Sequence, residues 1–293
     1  MDEIGKDGLL MFLQVLYEGL TMGTIYALYA MGIALVWGVM NILSFSQGEF
    51  MMVAMYLTFF ITKSLGVDPL AAMPFVVVFM FLFGVLIYKT LIARALKGPV
   101  LSQRLVTFGL GMVLTNGMIL LAGGQTKSIT NKIFSGSFDF LGITVSREKL
   151  FLLCTSLIVT VLLFWFMNKT KLGKGIRATS MDKEAAGLVG INTETAYMVA
   201  FGISAAIAGA CGCAMTYYYY FQPSIGTNFM IFGFIAVCLG GFGSIGGAFV
   251  GGLIMGIVDL FAGTYLSVSF KYLAVSVIFL LIVTFRPKGL FGR

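Results

Sequence analysis

The sequence predicts an all-α polytopic membrane protein of about eight or nine transmembrane helices, some of them broken, with one short helix held outside the bilayer. Three observations lead there. Of 293 residues, 59% are hydrophobic and only 11% charged, whereas a soluble domain carries about a quarter charged residues. Apolar runs of roughly 20 residues, enough to cross a hydrocarbon core, recur along the whole chain. The longest polar run, Lys169 to Asn192, falls between two of them. A single integral domain over residues 1–293 is expected, with its polar loop at about 168–194.

The first span runs from about Leu9 to Val36 and is long enough to tilt or break. It follows an acidic opening and shows neither a basic n-region nor a small-residue cleavage site, so it reads as a retained span, not a signal peptide. Further spans are expected at about Gly48–Leu65, Leu70–Ile92, Leu105–Ala122, Leu150–Met167 and Ala196–Phe221. Between the fourth and fifth, Gly123–Lys149 is a polar connection whose alternation (Phe138, Phe140, Ile143, Val145) is too weak to predict a strand. Phe229–Ala262 reads as two helices broken at Gly240–Gly247, and a last span covers about Tyr272–Phe285.

Charge sets the expected orientation. The segments Lys89–Arg104, Lys169–Asn192 and Arg286–Arg293 hold twelve of the 19 Lys and Arg, against three acids, Asp182, Glu184 and, counted at the loop edge, Glu194. Positive charge collects on the cytoplasmic side, which puts these loops and the C-terminus inside, and the N-terminus outside if the break near Gly240 is a true turn. This accounts for the net charge of +7 without nucleic acid, and no aromatic stacking platforms accompany the basic loops.

Within the polar loop, a basic half containing Arg177 leads into a short amphipathic helix, Met181 to Val189. Asp182 suits its positive end and Gly190 its stop. Met181, Ala185, Leu188 and Val189 share one face, while Asp182, Lys183 and Glu184 point elsewhere. A short helix with a modest apolar face suits a groove on a soluble partner.

Asn41 to Phe50 (NILSFSQGEF) interrupts two strongly apolar runs. Irregular polar backbone at membrane depth is tolerated only where protein or water covers it. Asn41, Ser44, Ser46, Gln47, Gly48 and Glu49 therefore read either as the lining of a translocation path or as a plain cytoplasmic turn with Glu49 capping the next helix. Glu18 and Asp259, the other acids inside apolar runs, read as helix-end residues near headgroups.

Gly240, Gly241, Gly243, Gly246 and Gly247 contain a formal G-x-G-x-x-G, but both flanks are membrane-hydrophobic, which excludes a dinucleotide fingerprint. They read as a helix break, with Gly251, Gly252 and Gly256 allowing close helix approach. Gly173-Lys174-Gly175 lacks the remaining P-loop residues, so no ATP hydrolysis is expected here. Tyr217 to Tyr220 read as an interfacial aromatic belt, with a substrate gate as the alternative. Cys154, Cys211, Cys213 and Cys238 lie in apolar runs, and with no histidine in the chain they form no familiar zinc set. They read as buried free thiols. No catalytic residue, metal or bound cofactor is expected.

Glu184-Ala185-Ala186, followed after three residues by Gly190, resembles the EAA---G loop of ABC-importer permeases. Gly19–Leu28, Asn41–Tyr56, Arg177–Ala186, Gly240–Gly247 and Arg286–Leu290 resemble, more narrowly, the LivH-type permeases of branched-chain amino-acid importers. Gln47 stands where that family commonly has histidine, and the Ile-x-Leu-Pro of the wider importer signature does not follow Gly190. The resemblance implies a non-catalytic permease in a bacterial inner membrane, paired with a second, related permease. It also implies two cytoplasmic ATPases, which carry the ATP and Mg, and an external substrate-binding protein. Arg177, Met181–Ala186, Leu188 and Gly190 would then form the coupling helix that docks on an ATPase. Related permeases carry urea or short amides, which is the alternative substrate class. An ion-coupled carrier using Glu49 or Asp259 is the competing mechanism. A membrane enzyme would need a cluster of catalytic side chains that the sequence does not show.

Overall fold

The structure, a computed structural model, describes residues 2–129, 136–140, 143–286 and 289–292. Among these, six helices are long and apolar enough to cross a membrane. In chain order the helices begin with α1 (Asp2–Met40), α2 (Gln47–Leu65) and α3 (Pro69–Ile87), which continues through a π-helical turn (Tyr88–Ile92) into α4 (Ala93–Ala95). Then come α5 (Val100–Ala122), α6 (Arg147–Lys169), α7 (Lys171–Met181), α8 (Lys183–Leu188) and α9 (Thr193–Met215). The chain closes with α10 (Ile225–Gly240), α11 (Ile245–Tyr265) and α12 (Val268–Phe285). Each expected span has a helix at its place; α10 and the apolar part of α12 are the short ones.

The bundle is built around α1. In its most apolar window 89% of residues are buried, and 78% in α9, against 17% in α5. Helices α5, α3 and α6 therefore form an outer layer, with their leucines and phenylalanines facing outward. What lets α1 occupy the centre is glycine on its neighbour α11. A Cβ on Gly252 would lie 2.2 Å from Ala27 Cα, and one on Gly256 would lie 2.2 Å from Gly23 Cα. Lipid and side chains are equally apolar, so the gain on association comes from such close van der Waals contact. The predicted role of these glycines is what the structure shows.

Small residues on α9 act in the same way, with different partners. Gly202, Ala205 and Gly209 receive α3 through Phe81, Gly84 and Met80, and Gly212 faces the Met51 carbonyl of α2. The face they share looks toward α2 and α3.

Two irregular joints complete the frame. Between α10 and α11, Gly241 and Gly243 take φ of +105° and +80°, a region only glycine enters at no cost. There the backbones of Gly240 and Gly247 touch. The C-terminal tail closes the joint: Leu290 and Phe291 donate their N–H groups to the carbonyls of Leu239 (2.8 Å) and Gly240 (3.1 Å), which the helix itself leaves free. The second departure lies in 123–149. Ser137–Phe140 and Ile143–Ser146 form an antiparallel hairpin, β1–β2, where no strand was predicted. It is held partly from outside: the Gln14 amide of α1 donates to the Thr144 carbonyl and accepts from its N–H, both at 3.1 Å. That contact is 130 residues distant in sequence, so local alternation understates it.

Candidate functional site

Two regions collect the residues singled out in the sequence. The first is the polar loop, now two helices. Thr170 caps α7, its hydroxyl accepting from Gly173 N–H at 2.9 Å, and Gly173 lies against the Phe166 carbonyl so tightly that no side chain fits. Gly173, Ile176 and Thr179 form the buried face of α7, and Arg177 on its outer side donates to Asn168 Oδ1 at 2.5 Å. Helix α8 follows after one extended residue, Asp182, with φ of −155°. The Asp182 carboxylate accepts from the N–H groups of Glu184 and Ala185, each at 2.9 Å. That cap corrects the expected boundary. Met181 ends α7, and the short helix starts at Lys183, because Asp182 spends its extended backbone and its carboxylate on opening a new helix.

Helix α8 is closed equally firmly. Gly190 has φ of +83°, its N–H reaching the Gly187 carbonyl at 3.1 Å and that of Ile191 reaching Ala186 at 3.0 Å. This is the paired closure of a Schellman motif. Ala186 is its one buried side chain, and Lys183 Nζ sits 5.5 Å from the centre of the Tyr197 ring on α9. Ala185 and Glu184 are exposed. Met181, Leu188 and Val189 are 76%, 90% and 76% exposed, uncovered by the described residues; Met181 lies on α7, so of the single face expected over Met181–Val189 only Ala185, Leu188 and Val189 stay with α8.

The second region is the segment joining α1 to α2. Asn41 is exposed and takes φ of +55°, which asparagine tolerates better than most residues. Ser44, Ser46, Gln47, Gly48 and Glu49 are all buried, so the segment is not a plain surface turn. Gln47 donates its amide to the Ser204 carbonyl at 2.9 Å, and Ser204 donates to the Gly32 carbonyl at 2.7 Å. The Ser44 and Ser46 hydroxyls lie 3.3 Å apart. Gly48 meets Gly226 backbone to backbone, so the first turns of α2 and α10 touch. Glu49, 6% exposed, stands in the first turn of α2 beside Gly111 of α5, and its Oε2 has no hydrogen-bond partner among the described residues. Both roles read in the sequence are thus compatible with its place, at a positive helix end and inside the protein. Against this segment lies a mostly apolar cavity of about 230 Å³, lined by Ile33, Ser44, Phe45, Met230, Phe234 and Phe279 among others.

Sequence reasoning missed Thr107, Gly111 and Ser204. Thr107 of α5 accepts from Phe45 N–H at 3.4 Å and lies 3.3 Å from the Leu43 carbonyl. Each is a lone small or hydroxylated residue inside an apolar run, and no spacing marks it.

At the opposite end of α9 the structure corrects two readings. Asp259 is 0% exposed and is held by Tyr26 Oη–H at 2.9 Å and Lys271 Nζ at 2.8 Å, so it does not sit among headgroups. Glu18 pairs with Lys149 at 2.5 Å. Tyr217 is fully buried and hydrogen-bonded to Asp68, and Lys149 lies 5.1 Å from the Tyr218 ring. Tyr218, Tyr219 and Tyr220 are exposed, as belt residues would be, so the correction concerns Tyr217 alone. All four cysteines are free; Cys154 is exposed on α6 and the other three are buried. Among the described residues no group of His, Cys, Asp and Glu could hold a metal.

A helical bundle with an apolar outer layer, polar joints inside and a capped polar helix outside defines a multi-pass membrane protein. Over residues 15–285 the sequence matches the family described as branched-chain amino acid transport system / permease component, and the chain belongs to that family. It is 31% identical to the high-affinity branched-chain amino acid transport system permease protein LivH of Escherichia coli K12, covering 97% of this chain and 96% of that one. It is 28% identical to the corresponding protein BraD of Pseudomonas aeruginosa, over 96% of both. A probable LivH permease of Methanocaldococcus jannaschii is 26% identical over 87% of this chain and 82% of its own. No solved structure matches at comparable significance.

Proposed function

We propose that this chain is the permease subunit of an ATP-driven importer, forming with a second, related permease the path for branched-chain amino acids. Two cytoplasmic ATPases supply the energy, an external binding protein delivers substrate, and the chain itself holds no cofactor and catalyses nothing. It lies in the bacterial inner membrane with its C-terminus inside. The observation that carries the reading is α8: a helix capped at both ends, anchored through one buried alanine, whose exposed apolar residues nothing in this chain covers. Burying Leu188 and Val189 on a partner would contribute about 1.5–3 kcal/mol each, enough to seat a lever.

The path runs along the α1–α2 segment. Asn41, Ser44, Ser46, Gln47, Gly48 and Glu49 supply polar contacts where two helix starts meet, beside an apolar cavity of about 230 Å³ that suits an aliphatic side chain. Closure of the ATPases would move α8, and through α9 the helices α2 and α3 packed on it, switching access from one side to the other. The glycine joint at Gly240–Gly247 is a break that lets α10 and α11 turn back on themselves. The test is uptake of leucine by the reconstituted complex. Accumulation that requires ATP and the binding protein is expected; accumulation of urea or acetamide in place of leucine would move the substrate class, and leucine uptake without ATP would refute the mechanism.

A further inference from the structure

The Asp259 cluster is larger than a helix anchor requires. Its carboxylate directs both donors, Tyr26 and Lys271, to the one oxygen Oδ2. The other oxygen, Oδ1, is buried and has no hydrogen-bond partner among the described residues. Aromatic rings wall the pair. Lys271 Nζ lies 5.5 Å from the Phe232 ring centre, and Phe232 in turn packs on Tyr26 at 5.1 Å and on Tyr272 at 5.7 Å. A carboxylate among aromatic faces is a receptor for an ammonium group, and the chain demonstrates it with its own primary ammonium. The cluster lies where α9 ends, far from the Lys169–Asn192 loop: Tyr219, four residues past Met215, contacts Phe229, which contacts Tyr26.

We propose that the Asp259–Lys271 pair opens to hold the zwitterion of an amino acid, its ammonium on Asp259 and its carboxylate on Lys271, at the external mouth of the path. The inference rests on the importer reading above and gives it an entry site. Charge accounting favours a zwitterion. Separating a buried ion pair strands both charges, at a cost of several kcal/mol. A zwitterion inserted between them re-pairs each, and the free Oδ1 adds an acceptor for its three N–H groups. An amine alone leaves Lys271 unpaired, and a carboxylic acid alone leaves Asp259 unpaired. Lys271 can make the move, since it sits in the first turn of α12 on a flexible stem, and its side chain keeps 25% exposure.

The experiment uses the complete importer in nanodiscs, without binding protein or ATP, and follows reductive methylation of Lys271 relative to the exposed Lys171 by mass spectrometry, so that reagent consumed by the added amines cancels. Leucine is expected to protect Lys271, whereas isoamylamine and 4-methylpentanoate, which carry the same side chain with one charge each, protect weakly or not at all. Tyr26→Phe removes one hydrogen bond from Asp259 and should shift the leucine concentration for half-protection by about fivefold. Absence of protection by leucine, or equal protection by either half-molecule, would overturn the site. A half-protection point unmoved in Tyr26→Phe would do so as well. ATP-driven leucine uptake by the same purified importer, reconstituted into sealed vesicles with its binding protein, separates the two readings: uptake intact without protection defeats the entry site alone, and uptake absent defeats the importer.

Discussion

Gly252 and Asp182 show how single residues govern this molecule. The Gly252 position admits no Cβ because Ala27 Cα would lie 2.2 Å away. Gly252→Val should therefore force α11 off α1 and prevent a stable fold, seen as loss of monodisperse protein on size exclusion in mild detergent. Recovery of wild-type protein at wild-type melting temperature would show that α1 is not packed as described. Asp182 acts locally. Its carboxylate satisfies two N–H groups at the start of α8, and replacing such a cap by alanine costs about 1 kcal/mol. Asp182→Ala should leave membrane insertion and melting nearly unchanged but lower ATP-driven uptake by several-fold. Residues of this kind were partly legible in advance. Gly190 and Asp182 announce themselves as helix punctuation, and the α11 glycines as packing sites, because those roles depend on local chemistry. Ser204, Gly111 and Thr107 act through partners some 60 to 160 residues distant, and nothing near them in sequence marks that.

At the scale of elements, runs of hydrophobic residues set the spans, so span positions were legible to within a few residues. Burial order was not: α5 and α1 are similarly apolar in sequence, yet one is peripheral and the other central. The distinction comes from which helix faces α11's glycines. The β1–β2 hairpin and helix α7 were missed for related reasons. The hairpin depends on Gln14, and α7 is marked only by small buried residues, Gly173, Ile176 and Thr179, rather than by a broad apolar stripe. Helix α8 is the element with most at stake. Proline at Gly190 cannot adopt φ of +83° and loses the N–H bonded to Gly187, so Gly190→Pro should unwind its C-terminal end. Charge reversal, Glu184→Lys, leaves the helix intact but alters its exposed surface. Both variants are expected to insert normally and to separate ATP hydrolysis from leucine uptake. Normal uptake in both would exclude α8 as the coupling element.

As a whole, the chain places its features at opposite ends of one packed unit. The exposed apolar helix α8 lies at one end of α9 and the Asp259–Lys271 cluster at the other, with the polar α1–α2 segment against α9 at Ser204, between them. Lys and Arg concentrate in the loops placed with α8, the charge bias on which the proposed cytoplasmic placement of that face rests. Among the described residues the buried acids are Glu49 and Asp259, so most of the described interior presents no electrostatic barrier to an aliphatic side chain. These arrangements fit a subunit that moves substrate but borrows its energy. The most direct measurement is affinity purification of the tagged chain from mild detergent, with identification of what accompanies it and transport assayed in vesicles. The account predicts a second permease and two ATPases, with leucine uptake that stops when ATP is withheld. Recovery of the chain alone, still transporting in vesicles without ATP, would contradict it.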